Sequence, residues 1–125
     1  MKIKQVVQII LIILLAIFVG TIIDYIIHGL SPRFSVPASY FQHKLFYGTL
    51  WAILAFFIAR RFTKNWLDLS FIASFASAAV LQTIYFLRLH LAVDVVLLFL
   101  ILHFFMFLAP MALLFWRYKN LIEQK

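Results

Sequence analysis

The segment from Trp66 to Trp116 limits the possible folds more than any other part of the chain. It runs for 51 residues and is apolar except around its middle, where Arg88, His90 and Asp94 occur. One continuous α-helix of this length would measure about 75 Å, whereas the hydrocarbon core of a bilayer is ~30 Å thick. The segment must therefore fold back on itself. The polar residues 88–90 are the place where we expect the turn, although no glycine or proline marks it.

The composition of the whole chain extends this conclusion to all 125 residues. The chain is 66% hydrophobic and 12% charged, which is more apolar surface than a soluble domain of one-domain length can bury. Lipid must therefore be the solvent for most of it. The chain contains no cysteine, so disulfides, zinc–thiolate sites and cysteine nucleophiles are excluded. The net charge of +7 comes mainly from short connections between apolar runs, so we expect no binding to nucleic acid.

Four apolar runs predict an all-α integral membrane four-helix bundle that forms a single domain. The first run cannot be a signal peptide, because its core from Val6 to Ile27 is too long and no cleavage site of small residues follows. Ser39 and Asn65, each followed three residues later by Gln42 or Asp68, are typical helix starts. Pro110 is expected to kink the fourth helix without ending it. The predicted helices cover residues 5–29, 39–61, 66–87 and 91–117.

The distribution of lysine and arginine predicts that both termini are cytoplasmic. Eight of these residues lie in the two terminal segments and the second connection: Lys2, Lys4, Arg60, Arg61, Lys64, Arg117, Lys119 and Lys125. Only three lie in the first and third connections: Arg33, Lys44 and Arg88. Because cytoplasmic segments carry the excess of positive charge, the first and third connections should be outside. The expected location is a plasma or inner membrane.

A stripe of small residues on the third helix predicts close packing against another helix. Ser70, Ser74 and Ser77 follow one another at helical spacing and have alanines beside them. In lipid, close packing and polar contacts hold helices together, and small residues permit a close approach. Gln82 is polar enough to form a hydrogen bond across the interface.

Five ionisable residues are predicted to lie at one level near the outer side. Asp24 and His28 are one turn apart on helix one, and His90 and Asp94 are one turn apart near the start of helix four. His43 lies near the start of helix two and is the fifth residue of this set. An ionisable side chain in the membrane usually faces other helices and has a partner, so these residues are the candidate site.

Four interpretations of this cluster remain open. In the first interpretation, the carboxylates pair with Lys44, Arg88 or the histidines and fix the helix register. Alternatively, Asp24, His28, His43, His90 and Asp94 bind a divalent metal such as zinc, iron, manganese or copper. A third possibility is a site for a proton, a small anion or a lipid headgroup, and a fourth is bis-histidine haem. The candidate ligand-binding residues for the third are Arg33, Lys44, Tyr47 and Arg88.

His103 is predicted to lie apart from this cluster. It follows Asp94 by nine residues, which places it about 13 Å deeper and on a different face of the helix. We expect a neutral imidazole hydrogen-bonded to a neighbour such as Gln82.

The sequence therefore predicts a small polytopic membrane protein with an outer Asp/His site for a metal or an anionic ligand. The alternative is an accessory subunit in which these groups only hold helices together. Either is expected to be a homo-oligomer or part of a larger membrane complex. The G-x-S-x-G pattern of serine hydrolases is absent, so any catalysis would be metal-assisted chemistry on a lipid or another membrane-associated substrate.

Overall fold

Four long helices and one short helix make up the computed structural model, which describes residues 1–30, 32 and 37–124. The helices are α1 (Ile3–Gly29), α2 (Ala38–Ala59), α3 (Trp66–Leu89), α4 (Val93–Arg117) and α5 (Lys119–Ile122). Within these residues the fold is all-helical and contains no strand. Three of the long helices, α1, α3 and α4, are long and apolar enough to cross a membrane.

The turn between α3 and α4 lies at residues 90–92 and overlaps the predicted turn at residues 88–90 only at His90, because Arg88 and Leu89 belong to α3. Helix α3 ends at Leu89, and His90 adopts a left-handed conformation with φ 51° and ψ 42°. Its backbone N–H still donates to the Phe86 carbonyl, so His90 closes the helix in the way that glycine usually does. The absence of glycine therefore leaves a residue with a Cβ in a conformation that costs about 1–2 kcal/mol.

The predicted helix starts have different outcomes. The Asn65 side chain accepts hydrogen bonds from the backbone N–H groups of Leu67 and Asp68, so that cap is confirmed. The capping box at Ser39 is wrong, because α2 begins at Ala38 with Pro37 as its N-cap residue. Proline fixes φ near the value needed at a helix start, and this moves the beginning upstream. Helix α4 continues through Pro110.

The long helices pack in ring order, with α1 and α3 each contacting both α2 and α4. We call the end where α1 ends and α2 begins the site end. The opposite end holds both termini, where the Gln5 side chain donates to the Gln124 side chain over 2.7 Å. Arg60 binds the carbonyls of Ile122 and Gln124, and the Trp66 N–H donates to Glu123 Oε1. The C-terminal segment is thereby tied to α1, to the end of α2 and to the start of α3.

Two glycines set the spacing between helices. A Cβ on Gly20 would lie 2.6 Å from the Phe107 ring, which places α1 close against α4. A Cβ on Gly48 would lie 2.9 Å from the Ser77 hydroxyl, and that hydroxyl donates to the Gly48 carbonyl over 3.0 Å. The expected close approach at the serine stripe of α3 is therefore present at Ser77, with α2 as the partner.

Candidate functional site

Three ionisable side chains from different helices meet inside the protein and form what we call the buried triad. Asp24 of α1 is 2% exposed, Lys44 of α2 is fully buried and His103 of α4 is 3% exposed. Lys44 Nζ forms an ion pair with Asp24 Oδ2 and lies 2.9 Å from His103 Nε2. His103 Nε2 is in turn 3.5 Å from Asp24 Oδ1. Each member thus approaches both others.

The members of the triad lie at different distances from the helix ends at the site end. The length of the lysine side chain allows them to meet. Asp24 lies five residues inside the site end of α1, which is about 7.5 Å, whereas His103 lies ten residues inside α4, which is about 15 Å. Lys44 lies six residues inside α2, or about 9 Å. Its long aliphatic stem carries the ammonium between the carboxylate and the imidazole.

The surroundings of His103 determine which ring nitrogen carries the proton. Nδ1 lies 2.7 Å from the Phe99 carbonyl, which can only accept, so Nδ1 is protonated and donates. Nε2 is then free to accept a hydrogen bond from the Lys44 ammonium. The Gln82 amide lies 3.2 Å from Nδ1, and it gains a hydrogen bond there when its oxygen faces the ring. In that orientation the Gln82 oxygen, which otherwise has no partner, shares the single Nδ1 proton with the Phe99 carbonyl.

The Lys44 ammonium has two polar partners and one aromatic neighbour for its three N–H groups. Two face Asp24 and His103, and the ammonium also lies 4.4 Å from the centre of the Tyr40 ring. Tyr40 stacks on Tyr85 of α3 with ring centres 4.9 Å apart. A buried lysine is tolerated only with such pairing, because an unpartnered ammonium in an apolar interior is strongly unfavourable.

His28 lies at the edge of the triad, one turn beyond Asp24 on α1. Its Nε2 atom is 3.5 Å from Asp24 Oδ1, and its side chain is 19% exposed. The ring packs edge-on against Tyr40 and Phe41 of α2. His28 is therefore the member of this group that connects the buried carboxylate with the surroundings of the site end.

Two cavities flank this group of residues. One, of about 350 Å³, lies between α1 and α4 and has Asp24, His28 and His103 as its polar residues. The rest of its wall is apolar and includes Leu98, Leu102 and Met106. The other, of about 220 Å³, lies between α2 and α3, and its lining includes Tyr40, His43, Tyr47, Tyr85 and Arg88.

The structure pairs two of the five residues of the predicted metal site. Asp24 and His28 lie together, whereas His43, His90 and Asp94 are exposed. Among residues 1–30, 32 and 37–124, no group of three or more histidines and carboxylates is placed to hold a metal ion. At Asp24 the physical reason is Lys44, since its ammonium occupies the position between the carboxylate and His103 where a cation would bind. The metal hypothesis thus gains no support from the described residues.

The predicted ligand-binding residues are also divided. Tyr47 and Arg88 line the α2–α3 cavity together with His43. Lys44 instead faces the other way, into the triad, and Arg33 lies outside the described residues. The interpretation in which Asp24 pairs with Lys44 and the histidines therefore matches the observed contacts.

The prediction that His103 lies apart from Asp24 is wrong, although its expected contact with Gln82 is present. The expected depth of His103 was its distance along α4 from Asp94. That distance does not include the reach of a lysine side chain on a neighbouring helix. A usable signal existed in the sequence. Lys44 lies five residues after the start of the second predicted helix, and a charged residue at that position requires acidic or polar partners at its own depth.

Comparisons with protein-family models, curated proteins and solved structures found no match to this chain. Its class therefore follows from its own features. An all-helical fold with three helices able to cross a membrane has the features of a small helical membrane protein. What distinguishes this particular chain is the buried triad of Asp24, Lys44 and His103.

Proposed function

We propose that this chain crosses the membrane four times, has both termini in the cytoplasm, and uses the buried triad to bind a proton. The observation that carries the proposal is the fully buried Lys44, placed between a carboxylate and an imidazole that accepts a hydrogen bond. Ionisable groups inside a membrane are unfavourable and usually serve proton or ion binding. On this topology α2 is the remaining span, and the site end faces outward.

The charges of the triad make it neutral with one mobile proton. Asp24 carries a negative charge, Lys44 a positive charge, and His103 is uncharged with its proton on Nδ1. Transfer of a proton from Lys44 Nζ to His103 Nε2 keeps the total charge unchanged, because the ammonium becomes an amine as the imidazole becomes an imidazolium. Asp24 stabilises either form, since Oδ2 faces Lys44 and Oδ1 faces His103.

An additional proton would reach the triad from the site end. His28 lies beside Asp24 Oδ1 and is the more exposed of the two histidines that approach that oxygen. In the other direction along α4, the buried residues after His103 include Phe107, Met111 and Phe115, all fully buried and without an ionisable group. This asymmetry supports a binding site loaded from one side, in preference to a path through the membrane.

Groups on α1, α2 and α3 face the triad, and each belongs in any account of its pH dependence. They are His28 on α1, Tyr40 on α2, Gln82 and Tyr85 on α3, and the triad residues themselves. Near neutral pH the tyrosines are uncharged. The tyrosines and Gln82 instead orient the charged groups.

The proposal is tested by nuclear magnetic resonance of the protein in lipid nanodiscs, with labelled histidine rings and aspartate carboxyls. At neutral pH the His103 signals should report a neutral ring protonated at Nδ1. On acidification the His103 ring signals should change, and Asp24→Asn should alter that change without affecting the signals of the exposed His43. An invariant His103 signal from about pH 3 to about pH 9, a range that extends well below the usual histidine value, would contradict proton binding. The triad would then only hold helices together, as in an accessory subunit.

The proposed topology is tested separately by cysteine labelling, because the chain has no cysteine of its own. Leu30 and Phe62 are strongly exposed at opposite ends, with 79% and 86% of their surface accessible. In intact cells, Leu30→Cys should react with an impermeant thiol reagent and Phe62→Cys should react only after lysis. The reverse pattern would show that the site end faces the cytoplasm.

A second candidate function is the binding of an anionic headgroup in the α2–α3 cavity. Three residues that the sequence selected for ligand or metal binding, His43, Tyr47 and Arg88, line this one cavity of about 220 Å³. Arg88 supplies a permanent positive charge with planar donor geometry suited to phosphate. Loss of binding to anionic lipid vesicles in Arg88→Gln, with Arg61→Gln unchanged, would support this function. Equal binding by both variants would exclude it.

A further inference from the structure

The cavity between α1 and α4 combines an apolar wall with a single polar end, and this combination points to a particular kind of ligand. Its volume of about 350 Å³ is within the range of small-molecule sites in proteins, which begins near ~300 Å³. Five of its eight lining residues are apolar: Ile27, Leu98, Phe99, Leu102 and Met106. The other three are the carboxylate and two histidines described above.

The polar end of the cavity offers an acceptor for a hydrogen bond. Asp24 Oδ2 is engaged by Lys44, but Oδ1 lies 3.5 Å from Nε2 of both His28 and His103. This distance exceeds the usual ~2.7–3.2 Å of an N–H···O hydrogen bond. Of the two Asp24 oxygens, Oδ1 is therefore the one that can still accept a hydrogen bond from a ligand.

Charge balance determines which donor is suitable. Asp24 and Lys44 already neutralise one another, so a ligand with an ammonium group would leave a net positive charge inside an apolar site. An anionic head would face the carboxylate and be repelled. A neutral hydroxyl can donate to Oδ1 without changing the total charge, and hydrogen bonds to charged groups are stronger than those between neutral groups.

The apolar wall indicates how such a ligand reaches the cavity. Ile27, Leu98 and Leu102 line it, and 47%, 56% and 46% of their surfaces are exposed on the outside of the protein. On the proposed membrane topology these surfaces face lipid. A ligand with a hydrocarbon body could therefore enter sideways from the bilayer and pack its chain against α4, because close packing holds apolar groups together in lipid.

We propose that the α1–α4 cavity binds a neutral, hydroxyl-bearing amphiphile from the bilayer. The hydroxyl donates to Asp24, and the hydrocarbon body lies along Leu98, Leu102 and Met106. This site belongs to the form of the triad in which His103 is neutral, because a protonated His103 Nε2 would donate to the same Asp24 oxygen.

The test is photo-crosslinking of the full chain in nanodiscs with a long-chain 1-alkanol that carries a diazirine in its chain. Mass spectrometry should locate the label on α1 and α4 residues of the cavity, and an excess of unlabelled 1-alkanol should reduce labelling at least about fivefold. The matching alkane and alkylammonium probes should label these residues much less. Equal labelling by the alkane would overturn the role of the hydroxyl.

A matched pair of variants tests the location. Leu98→Trp fills the cavity, whereas Leu97→Trp places the same side chain on a neighbouring exposed position that does not line it. Labelling should fall in Leu98→Trp and persist in Leu97→Trp; equal labelling of both would place the probe elsewhere and refute the site. Competition by a diacylglycerol or by a linear isoprenoid alcohol then distinguishes a branched glyceride from a single-chain alcohol as the source. If neither compound competes, and unlabelled 1-alkanol does not displace the labelled probe, specific binding is also refuted.

Discussion

The ion pair between Asp24 and Lys44 makes a quantitative prediction about stability. Lys44→Met keeps much of the side-chain volume but removes the ammonium, which leaves the Asp24 carboxylate buried and without its cation. Breaking a buried pair in this way costs about 3–5 kcal/mol. Removal of the donor to His103 Nε2 adds to this, because an unsatisfied buried acceptor costs about 1–3 kcal/mol. We therefore expect a loss in unfolding free energy of at least about 3 kcal/mol.

The double variant Asp24→Asn with Lys44→Met separates the pair from its members. Once the carboxylate is neutral, loss of the ammonium no longer leaves an isolated charge. The double variant should therefore be less destabilised than the sum of the two single variants, by about 2 kcal/mol or more. Lys64→Met, at an exposed position, is the control and should change stability by no more than about 0.5 kcal/mol.

The assay for this cycle is reversible unfolding in mixed micelles with increasing denaturing detergent, followed by circular dichroism. It yields an unfolding free energy for the wild type and each variant under one set of conditions. Additive effects of Asp24→Asn and Lys44→Met would refute the reasoning, because additivity means that the two side chains do not interact in the folded protein.

Three further predictions follow from contacts outside the triad. Gly20→Val should destabilise the protein by about 1–3 kcal/mol through overpacking against α4, whereas Gly29→Val has open space and serves as the control in the same unfolding assay. Arg60→Ala should increase proteolysis and amide exchange of the C-terminal segment by removing two carbonyl contacts, and Arg61→Ala should not. His90→Gly should raise the unfolding free energy by about 1 kcal/mol, since glycine adopts the left-handed conformation without strain; a loss of stability would contradict this account of the α3–α4 turn.

Features that follow from length and local chemistry could be predicted from the sequence. The apolar stretch from residue 66 to residue 116 exceeded any single span, so a turn was required and its polar residues located it. The Asn65 cap and the packing of Ser77 against Gly48 likewise depend on a few residues whose chemistry is legible in the chain. The start of α2 was missed because the fixed φ of Pro37 outweighed the side-chain signal of Ser39.

The candidate site was harder to predict because its members lie on different helices. Asp24 and His28 were selected correctly as neighbours, since one turn of one helix determines their distance. The level of His103 relative to Asp24 depends instead on how far α4 is displaced along α1. No periodicity within a single helix encodes that displacement. It is set by contacts such as that of Gly20 with Phe107, whose helix also carries His103 one turn away.

The same close contact links helix packing to the chemistry of the triad. Gly20 and Asp24 are one turn apart on α1, and Phe107 and His103 are one turn apart on α4, so the α1–α4 contact is directly adjacent to the carboxylate–imidazole approach. A side chain at position 20 would separate the helices and lengthen the 3.5 Å distance between Asp24 Oδ1 and His103 Nε2. Lys44 could follow only one of its two partners. The absence of a side chain at residue 20 is therefore a condition for the triad as well as for the packing, which predicts that the His103 ring signals stop responding to Asp24→Asn in a Gly20→Val background and still respond in a Gly29→Val background.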